Sequence, residues 1–580
     1  MTSQAISVPS VPRPEAGPGD GPRGGGFDSL LRAEWIKFRS VRGWVIGMIL
    51  AALLTIFLGV FAAANANIGC QINGGPVKSG KACLPPIPHG PGGEIVTDSF
   101  YFVRQPLAGR GIITVRVTSL TGEHANVSSG RAPVGNGTLT VRATSLTGEH
   151  ANLATSGRAA QVGSGLVPGL AEWAKAGIII KRSTHQGSAY AAMMVTGGHG
   201  VRMQDNFTGD MAGMPGAVSA VHPRWLRLTR SGDTITGYDS ADGTHWTRVG
   251  TVQLTGLPST VQAGLFATSP GYTVTQNSFG GSSNSGGPAQ ATGDFDHVSL
   301  AGGASGSTWT GTEIGRGGPA GGGGPAGAGP GGGSAPFTRN GGRYTLTGSG
   351  DIAPVTPGPF GSLPTVTIGQ SLVGAFLGLI VIVVMAAMFF STEYRRGLIR
   401  TTLTATPRRG AVLAGKSVVI GAVAFVTGLV AAVVSIGVGV PKEEKSGQVL
   451  LTAPWLTEVR VIVGTAAMLA VAAVFALALG AILRRSAAAI TIAVVTVVLP
   501  FLLSALNVVP AGVGDWLLRV TPAAGLAIEQ SIPRYSQVTT VISPVQGYYP
   551  LSPYAGFAVL CLWAAAALAL ALVMLRRRDA

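Results

Sequence analysis

One run of this sequence carries the residue types that cradle phosphate. Gly410-Ala-Val-Leu-Ala-Gly415-Lys416-Ser417 satisfies G-x-x-x-x-G-K-S, in which glycine amides wrap an anion and the lysine reaches its terminal charge. That chemistry needs a buried strand before the loop and a helix of a soluble α/β domain after it. Here Thr-Ala-Thr-Pro-Arg-Arg precedes the run and a long apolar stretch follows, so the chain is read as binding no nucleotide itself. Three cysteines are present. Cys70 and Cys83 could pair as a disulfide or stand as two free thiols. Cys561 lies inside an apolar run, and no CxxC pair or Cys/His cluster suggests a metal site. Trp173, Trp225 and Trp246 could stack on sugar rings or fill a core. No residue is assigned to catalysis, and no cofactor is expected.

The elements that must position these residues are mostly membrane helices. Of 580 residues, 46% are hydrophobic and 11% charged, against about 25% charged in an ordinary globular chain. A bilayer core about 30 Å thick needs about 20 apolar residues in helix. Six runs qualify: Trp44–Ala64, Ser371–Phe390, Ser417–Val440, Val461–Leu483, Ala487–Leu506 and Tyr554–Leu575. None contains a charged residue, so the spans offer no buried acid, base or relay, which argues against a membrane enzyme. Pro500 should kink the fifth run.

The net charge of +16 reads as orientation rather than nucleic-acid binding, because the basic residues cluster at the ends of these runs. Seventeen Lys and Arg residues precede run one, follow runs two and four, or follow run six. The opposite short loops hold five: Lys442, Lys445, Arg460, Arg519 and Arg534. Both termini are therefore expected in the cytoplasm of a multi-pass plasma-membrane protein. Ala64-Asn65-Ala66 resembles a signal-peptidase site, but more than forty residues precede the run, so an uncleaved span is favoured. Residues 1–26 are Pro/Gly-rich and read as a disordered tail. Phe27, Leu31, Trp35 and Phe38 recur on one helical face and predict an interfacial helix on the cytoplasmic leaflet.

Between the first two spans lies an insert too polar to cross a membrane. Residues 65–94 read as a connection, 95–300 as a β-sandwich and 301–364 as a Gly-rich linker. The alternating run Ile113–Thr118 and further short runs, among them Gly177–Lys181, Tyr190–Thr196, Trp225–Thr229 and Thr234–Asp239, predict an extracytoplasmic sandwich of two antiparallel sheets. Thr114–Asn126 (TVRVTSLTGEHAN) and Thr140–Asn152 (TVRATSLTGEHAN) form a local duplication at an offset of 26 residues. The order of Asp98-Ser-Phe-Tyr-Phe-Val-Arg-Gln-Pro106, Trp173-Ala-Lys-Ala-Gly-Ile-Ile-Ile-Lys181, Trp225-Leu-Arg-Leu-Thr-Arg-Ser-Gly232, Asp239-Ser-Ala-Asp-Gly-Thr-His-Trp246 and Phe295-Asp-His-Val-Ser-Leu300 resembles the concanavalin-like (LamG-like) modules of bacterial surface proteins. That resemblance implies a lectin-like domain whose partner would be a cell-surface glycan.

The loop from Ser391 to Lys416 resembles that of the type-2 ABC exporter permeases. The shared pattern is a Glu closing span two, a Gly four residues on, a Pro followed by Arg, and Gly-Lys opening span three. Glu393, Gly397, Pro407, Arg409, Gly415 and Lys416 occupy those positions. Ala33-Glu-Trp-Ile-Lys-Phe-Arg-Ser40 is similar to that family's entry helix, and Trp516-Leu-Leu-Arg-Val-Thr-Pro522 to its re-entrant helices. The resemblance implies a permease subunit with no enzymatic activity of its own, paired with a separate cytoplasmic ATPase and with a second permease subunit in the bilayer. The coupling loop would hold Glu393, Arg395, Arg396, Gly397, Arg400, Pro407, Arg408, Arg409 and Lys416. The large insert departs from the family pattern and keeps open a glycan-binding scaffold without transport.

Overall fold

The computed structural model describes residues 27–66, 69–70, 78–80, 84, 86–127, 162–278, 281–303, 308–315, 336–357, 364–395, 408–540 and 542–577. Six helices among them are long and apolar enough to cross a membrane: Arg42–Asn65, Ala375–Tyr394, Arg409–Lys445, Trp455–Leu483, Ser486–Ala505 and Pro553–Arg577. Each coincides with a run read from hydropathy, and the third extends well beyond it in both directions. The second and fourth spans bury 56% and 61% of their apolar windows, and the first, fifth and sixth only 28% each. The second and fourth therefore form the centre of the bundle and the other three its rim. Gly374 and Gly378, one helical turn apart, let the second span approach the first; a Cβ at Gly374 would run into the Thr55 carbonyl. The fifth span breaks between Val497 and Leu499, because Pro500 has no N–H to continue the ladder.

After the fifth span the chain forms the helix Ala511–Val520 and the 3₁₀ segment Pro522–Glu529. Leu526, Ala527 and Ile528 of that segment join the bundle core with Leu560 of the sixth span.

The β-domain is a sandwich of two antiparallel sheets, joined by the long strand Phe100–Val127. Its residues 101–108 pair with Thr260–Thr268, and residues 111–117 with Arg224–Ser231. The two stretches meet at Gly109, whose φ of +61° lets the strand turn from one sheet into the other. The outer sheet runs Thr247–Gln253, Thr234–Ser240, Arg224–Ser231, residues 111–117 and Ala289–Gly303. The inner sheet runs Gly209–Ala212, Val201–Asp205, Tyr190–Thr196, Lys175–Lys181, Thr260–Thr268, residues 101–108 and Thr310–Ile314. Val115, Leu226, Leu228 and Ile235 of the outer sheet meet Ile178, Ile180, Met193 and Leu265 of the inner one. The outer sheet is polar on its far face, the alternation expected of a half-buried sheet. The strands Lys175–Lys181 and Tyr190–Thr196 are buried at every residue, because a second cluster around Phe100, Tyr190, Phe207 and Ile352 covers their other face.

The strands continue past residue 300. Thr310–Ile314, Phe337–Asn340, Arg343–Gly348 and Ile352–Pro354 all pair with the β-domain, so its sheets take in parts of the segment expected to be linker. The second copy of the duplication lies outside the described residues.

The β-domain is seated on one end of the bundle. Ile95 packs with Val449, Leu451, Ile532 and Tyr548, which come from the connections after the third span and before the sixth. Gln537 donates to the Phe207 carbonyl at 2.5 Å, and Ser536 to Asp210 Oδ2 at 2.8 Å. Residues 365–366, at the end of the β-domain, pair in parallel with 449–450.

Candidate functional site: a buried charge cluster

The opposite end of the bundle carries the basic residues and the most concentrated polar arrangement in the membrane part. Three helices contribute. The entry helix Phe27–Ser40 lies across the start of the third span, turning Leu30, Leu31, Glu34 and Phe38 inward at the spacing of one helical face. Of the stripe expected from the sequence, Leu31 and Phe38 pack against the bundle together with Leu30 and Glu34, while Phe27 and Trp35 stay on the protein surface. Glu393 lies in the last turn of the second-span helix. The third span begins at Arg409, seven residues before Lys416, so Lys416 lies inside a helix.

The Lys416 ammonium is fully buried and shared by two carboxylates, Glu34 Oε2 at 2.7 Å and Glu393 Oε1 at 2.6 Å. It sits 5.0 Å from the centre of the Phe389 ring, which Phe38 and Trp44 meet edge-on. Lys37 completes the set, 2.9 Å from Glu34 Oε1 and 3.7 Å from Glu393 Oε1, with its side chain 42% exposed. Burial alone would lower the Lys37 ammonium. The Glu34 hydrogen bond and the charges of Glu393 and Glu34 outweigh it and raise the value. Two cations and two anions thus alternate from the dry interior to the wet edge. Glu393 Oε2 is buried with no donor among the described residues.

This arrangement contains neither nucleophile nor free base. Every charge is spent on another, and what the cluster does is hold three helices in one geometry. Removing one partner of such a buried set costs about 3–5 kcal/mol, because it leaves an uncompensated charge. The phosphate-cradle pattern is accounted for as well. Gly410–Ser417 is helical, the Gly415 amide lies inside the helix ladder, and the lysine is occupied by two carboxylates.

The remaining loop residues are placed as follows. Arg409 donates to the Leu575 carbonyl at 2.6 Å, tying the start of the third span to the end of the sixth. Arg408 is exposed beside it. Arg395 ends the second-span helix, its side chain outside the described residues, and Arg396, Gly397, Arg400 and Pro407 lie outside them altogether. Arg484, after the fourth span, lies over the Tyr394 ring at 4.9 Å.

Two further expectations concern the other side of the molecule. Cys70 lies in the short strand Gly69–Cys70, but its side chain and Cys83 are outside the described residues, so the disulfide is not observed. Trp173 is 4% exposed and stacks on His199 at 4.0 Å, which makes it a core residue and removes it from the candidate sugar contacts. Trp225 and Trp246 are half-buried on the far face of the outer sheet.

In the membrane part, sequence reasoning missed three carboxylates packed among the helices, two of them buried. Glu34 was read as part of a motif and not as a ligand for Lys416. Glu443, near the end of the third-span helix, is 5% exposed and accepts from Ser371 Oγ at 2.8 Å. Glu529 ends the 3₁₀ segment, with Thr465 of the fourth span beside it at 3.5 Å and Arg460 bonded to the carbonyls on either side. The spans and the segments packed among them therefore do hold buried charge, contrary to expectation. The apolar runs end before these residues, and only the helix lengths and the chain's return into the bundle bring them inside.

A sequence profile described as ABC-2 family transporter protein matches residues 175–580, which include five of the six spans and the charge cluster except for Glu34 and Lys37. The chain belongs to the ABC-2 transporter family. It is a multi-pass membrane permease component, and its family is one of transport subunits rather than enzymes. The match begins within the β-domain, so the profile runs across part of the insert. No curated protein matches the chain. Among solved structures, one similar chain is a functionally unknown protein from Saccharomyces cerevisiae, 14% identical, aligned over 40% of this chain and 90% of that one. Its TM-score is 0.20, and no argument rests on it.

Proposed function

We propose that this ABC-2 permease is the membrane subunit of an exporter driven by a separate cytoplasmic ATPase. The observation that carries this reading is Lys416. One buried ammonium locks the entry helix, the end of the second span and the start of the third together, at the two ends of the segment 394–415. A force on that segment is then passed to three helices at once instead of being absorbed by a hinge. Glu393, Arg395, Arg396, Gly397, Arg400, Pro407, Arg408 and Arg409 supply a basic element of the kind a soluble ATPase could grip. The excess of Lys and Arg at this end supports its facing the cytoplasm of a plasma membrane, with both termini inside and the β-domain outside. A second permease subunit would complete the pathway, and the β-domain would act as a lectin-like module on the outer surface.

The test is to purify the tagged chain from its native membrane in mild detergent and measure Mg-ATP hydrolysis and the co-eluting ATPase. Reversing Arg395, Arg396 and Arg400 to Glu should abolish ATPase recovery while the permease still inserts. Reversing Arg576, Arg577 and Arg578, equal charge on the same side but at the end of the last span, should leave it. Equal loss from both variants would reduce the site to general electrostatics. Failure of the unaltered chain to recover any ATPase would overturn the reading in favour of a glycan-binding scaffold.

A further inference from the structure

The far face of the outer sheet is ordered into three rungs by strand register. Trp225, Arg116 and Asp296 lie side by side across three strands. One step along come Arg248, Tyr238, Arg227, Thr114 and Ser299. A further step brings Thr251, Thr236, Thr229 and Ile112. Successive rungs are about 7 Å apart, two residues of strand. Trp225, Arg227, Thr229, Thr236 and Tyr238 are half-buried, while Arg248, Thr251 and Ser299 are exposed.

The chemistry of the face is specific. The Arg227 guanidinium lies 3.7 Å from the centre of the Trp246 ring, and its Nε donates to Thr114 Oγ1 at 3.2 Å. Among the described residues neither Arg227 nor Arg248 has a carboxylate within ion-pair reach. Arg116 differs: both its bonds go to Asp296, at 2.7 and 2.6 Å, and its guanidinium also faces Trp225 at 5.7 Å. Stacking holds Arg227 in place without neutralising it. A planar guanidinium fixed this way presents a fork suited to a carboxylate. Ring faces beside it suit the C–H face of a sugar, and a row of threonine hydroxyls suits sugar hydroxyls. A phosphate polymer would use the charges and leave the rings and hydroxyls idle.

We propose that this face binds an acidic, uronate-bearing polysaccharide, with Arg227 and Arg248 reading the carboxylates and Trp246, Trp225 and Tyr238 packing against the sugar rings. The proposal rests on the lectin-like reading of the β-domain, and it replaces Trp173 with arginines among the contact residues.

The test uses the full chain in phosphatidylcholine nanodiscs, with immobilised polygalacturonate, neutral dextran and polyglutamate as probes at 0.15 M salt, a concentration at which the screening length is about 8 Å. Polygalacturonate should bind at least about tenfold tighter than either other probe, the step a single lost charge-assisted contact of about 1.4 kcal/mol represents. Arg227→Ala and Trp246→Ala should each lose that preference, while Arg343→Ala, exposed on another strand, should keep it. Arg227→Lys guards against misfolding: it keeps the charge and loses the fork, so uronate binding should weaken with the thermal melt unchanged. Equal binding of dextran would mean a neutral glycan, and equal binding of polyglutamate would mean charge alone. Full retention by Arg227→Lys would remove the fork from the argument. Each of these overturns the proposal. ATPase recovery is measured on the same preparations and reports on the permease reading separately.

Discussion

Two buried lysines in this molecule do opposite work. Lys416 is shared by Glu34 and Glu393, and the Glu34 contact joins residues 382 apart in the chain. Its partners sit on separate helices, which Lys37 and the Phe38–Phe389 ring contact also tie together. Lys181 has a single carboxylate, Asp98 at 2.7 Å, and also donates to the Ser188 carbonyl at 3.1 Å. The rings of Phe100, Tyr190 and Phe207 surround it at 5.6 to 6.0 Å. Asp98 Oδ2 also accepts the Gly187 amide, so this pair staples one strand edge and one turn of a single rigid sandwich. Burial is the largest influence on both its members and outweighs their mutual attraction, holding the Asp98 carboxyl above and the Lys181 ammonium below their ordinary values. The Lys181 pair thus closes one edge within a single domain, whereas the Lys416 cluster joins three separate helices. A buried ion pair is weak evidence for stability in either place; what it supplies is a unique arrangement.

The sharpest way to break the comparison is to ask whether its two ends face opposite sides of the membrane. In a background lacking the three native cysteines, Val221→Cys, on the β-domain and 83% exposed, should label fully with a membrane-impermeant maleimide on intact cells. Arg577→Cys should label only after lysis. The reverse pattern would place the charge cluster outside and end the ATPase reading.

Next in size is Lys416→Met. Two carboxylates then share a buried site with only Lys37 near, and folded permease should fall by the equivalent of about 3–5 kcal/mol. The measurement is a detergent melt followed by size exclusion. The triple variant Glu34→Gln, Glu393→Gln, Lys416→Met should recover most of the melt but not the ATPase. If it recovered both, the cluster would be a staple like the other.

Lys181→Met should cost less at acid pH than at alkaline pH. It leaves Asp98 buried alone, with its carboxyl still held above the usual value by burial. A raised folded value means that the stabilising, protonated form is present below the unfolded pKa and is lost as pH rises through the folded one. The variant should therefore melt higher at pH 5 than at pH 8, and Asp98→Asn in addition should flatten that dependence. A melt independent of pH in the single variant would show that Asp98 is rescued by water and not confined.

The smallest effect is expected where the two regions meet. Asn206 and Phe207 have φ of 41° and 64°, an unfavourable region for a bulky side chain, and Gln537 holds the Phe207 carbonyl. Gln537→Ala should cost about 1–2 kcal/mol and speed hydrogen exchange at 205–210. Unchanged exchange would mean that the β-domain is not held through this turn.

Hydropathy and charge spacing alone located the six spans to within a few residues at most ends, because a bilayer admits only helices of a minimum length with their backbone bonds made internally. Alternation placed Ile113–Thr118 in the outer sheet for an equally local reason: one face is wet and the other dry. Tertiary structure decided the rest. Gly177-Ile-Ile-Ile-Lys181 and Tyr190–Thr196 read as plain apolar runs, and nothing in them says that a second cluster and the Asp98 carboxylate wait on the far face. Phe337–Asn340 and Arg343–Gly348 follow a glycine-rich stretch; the second pairs with the edge Ala289–Gly303 offers, and the first pairs with the second. Lys416 belongs to a phosphate-loop pattern by spelling and to a three-helix joint by position. The choice depends on two carboxylates that lie 23 and 382 residues away along the chain and within 2.7 Å of its ammonium in space. A local pattern carries residue types, whereas the partner of a buried charge is set by which helices pack together.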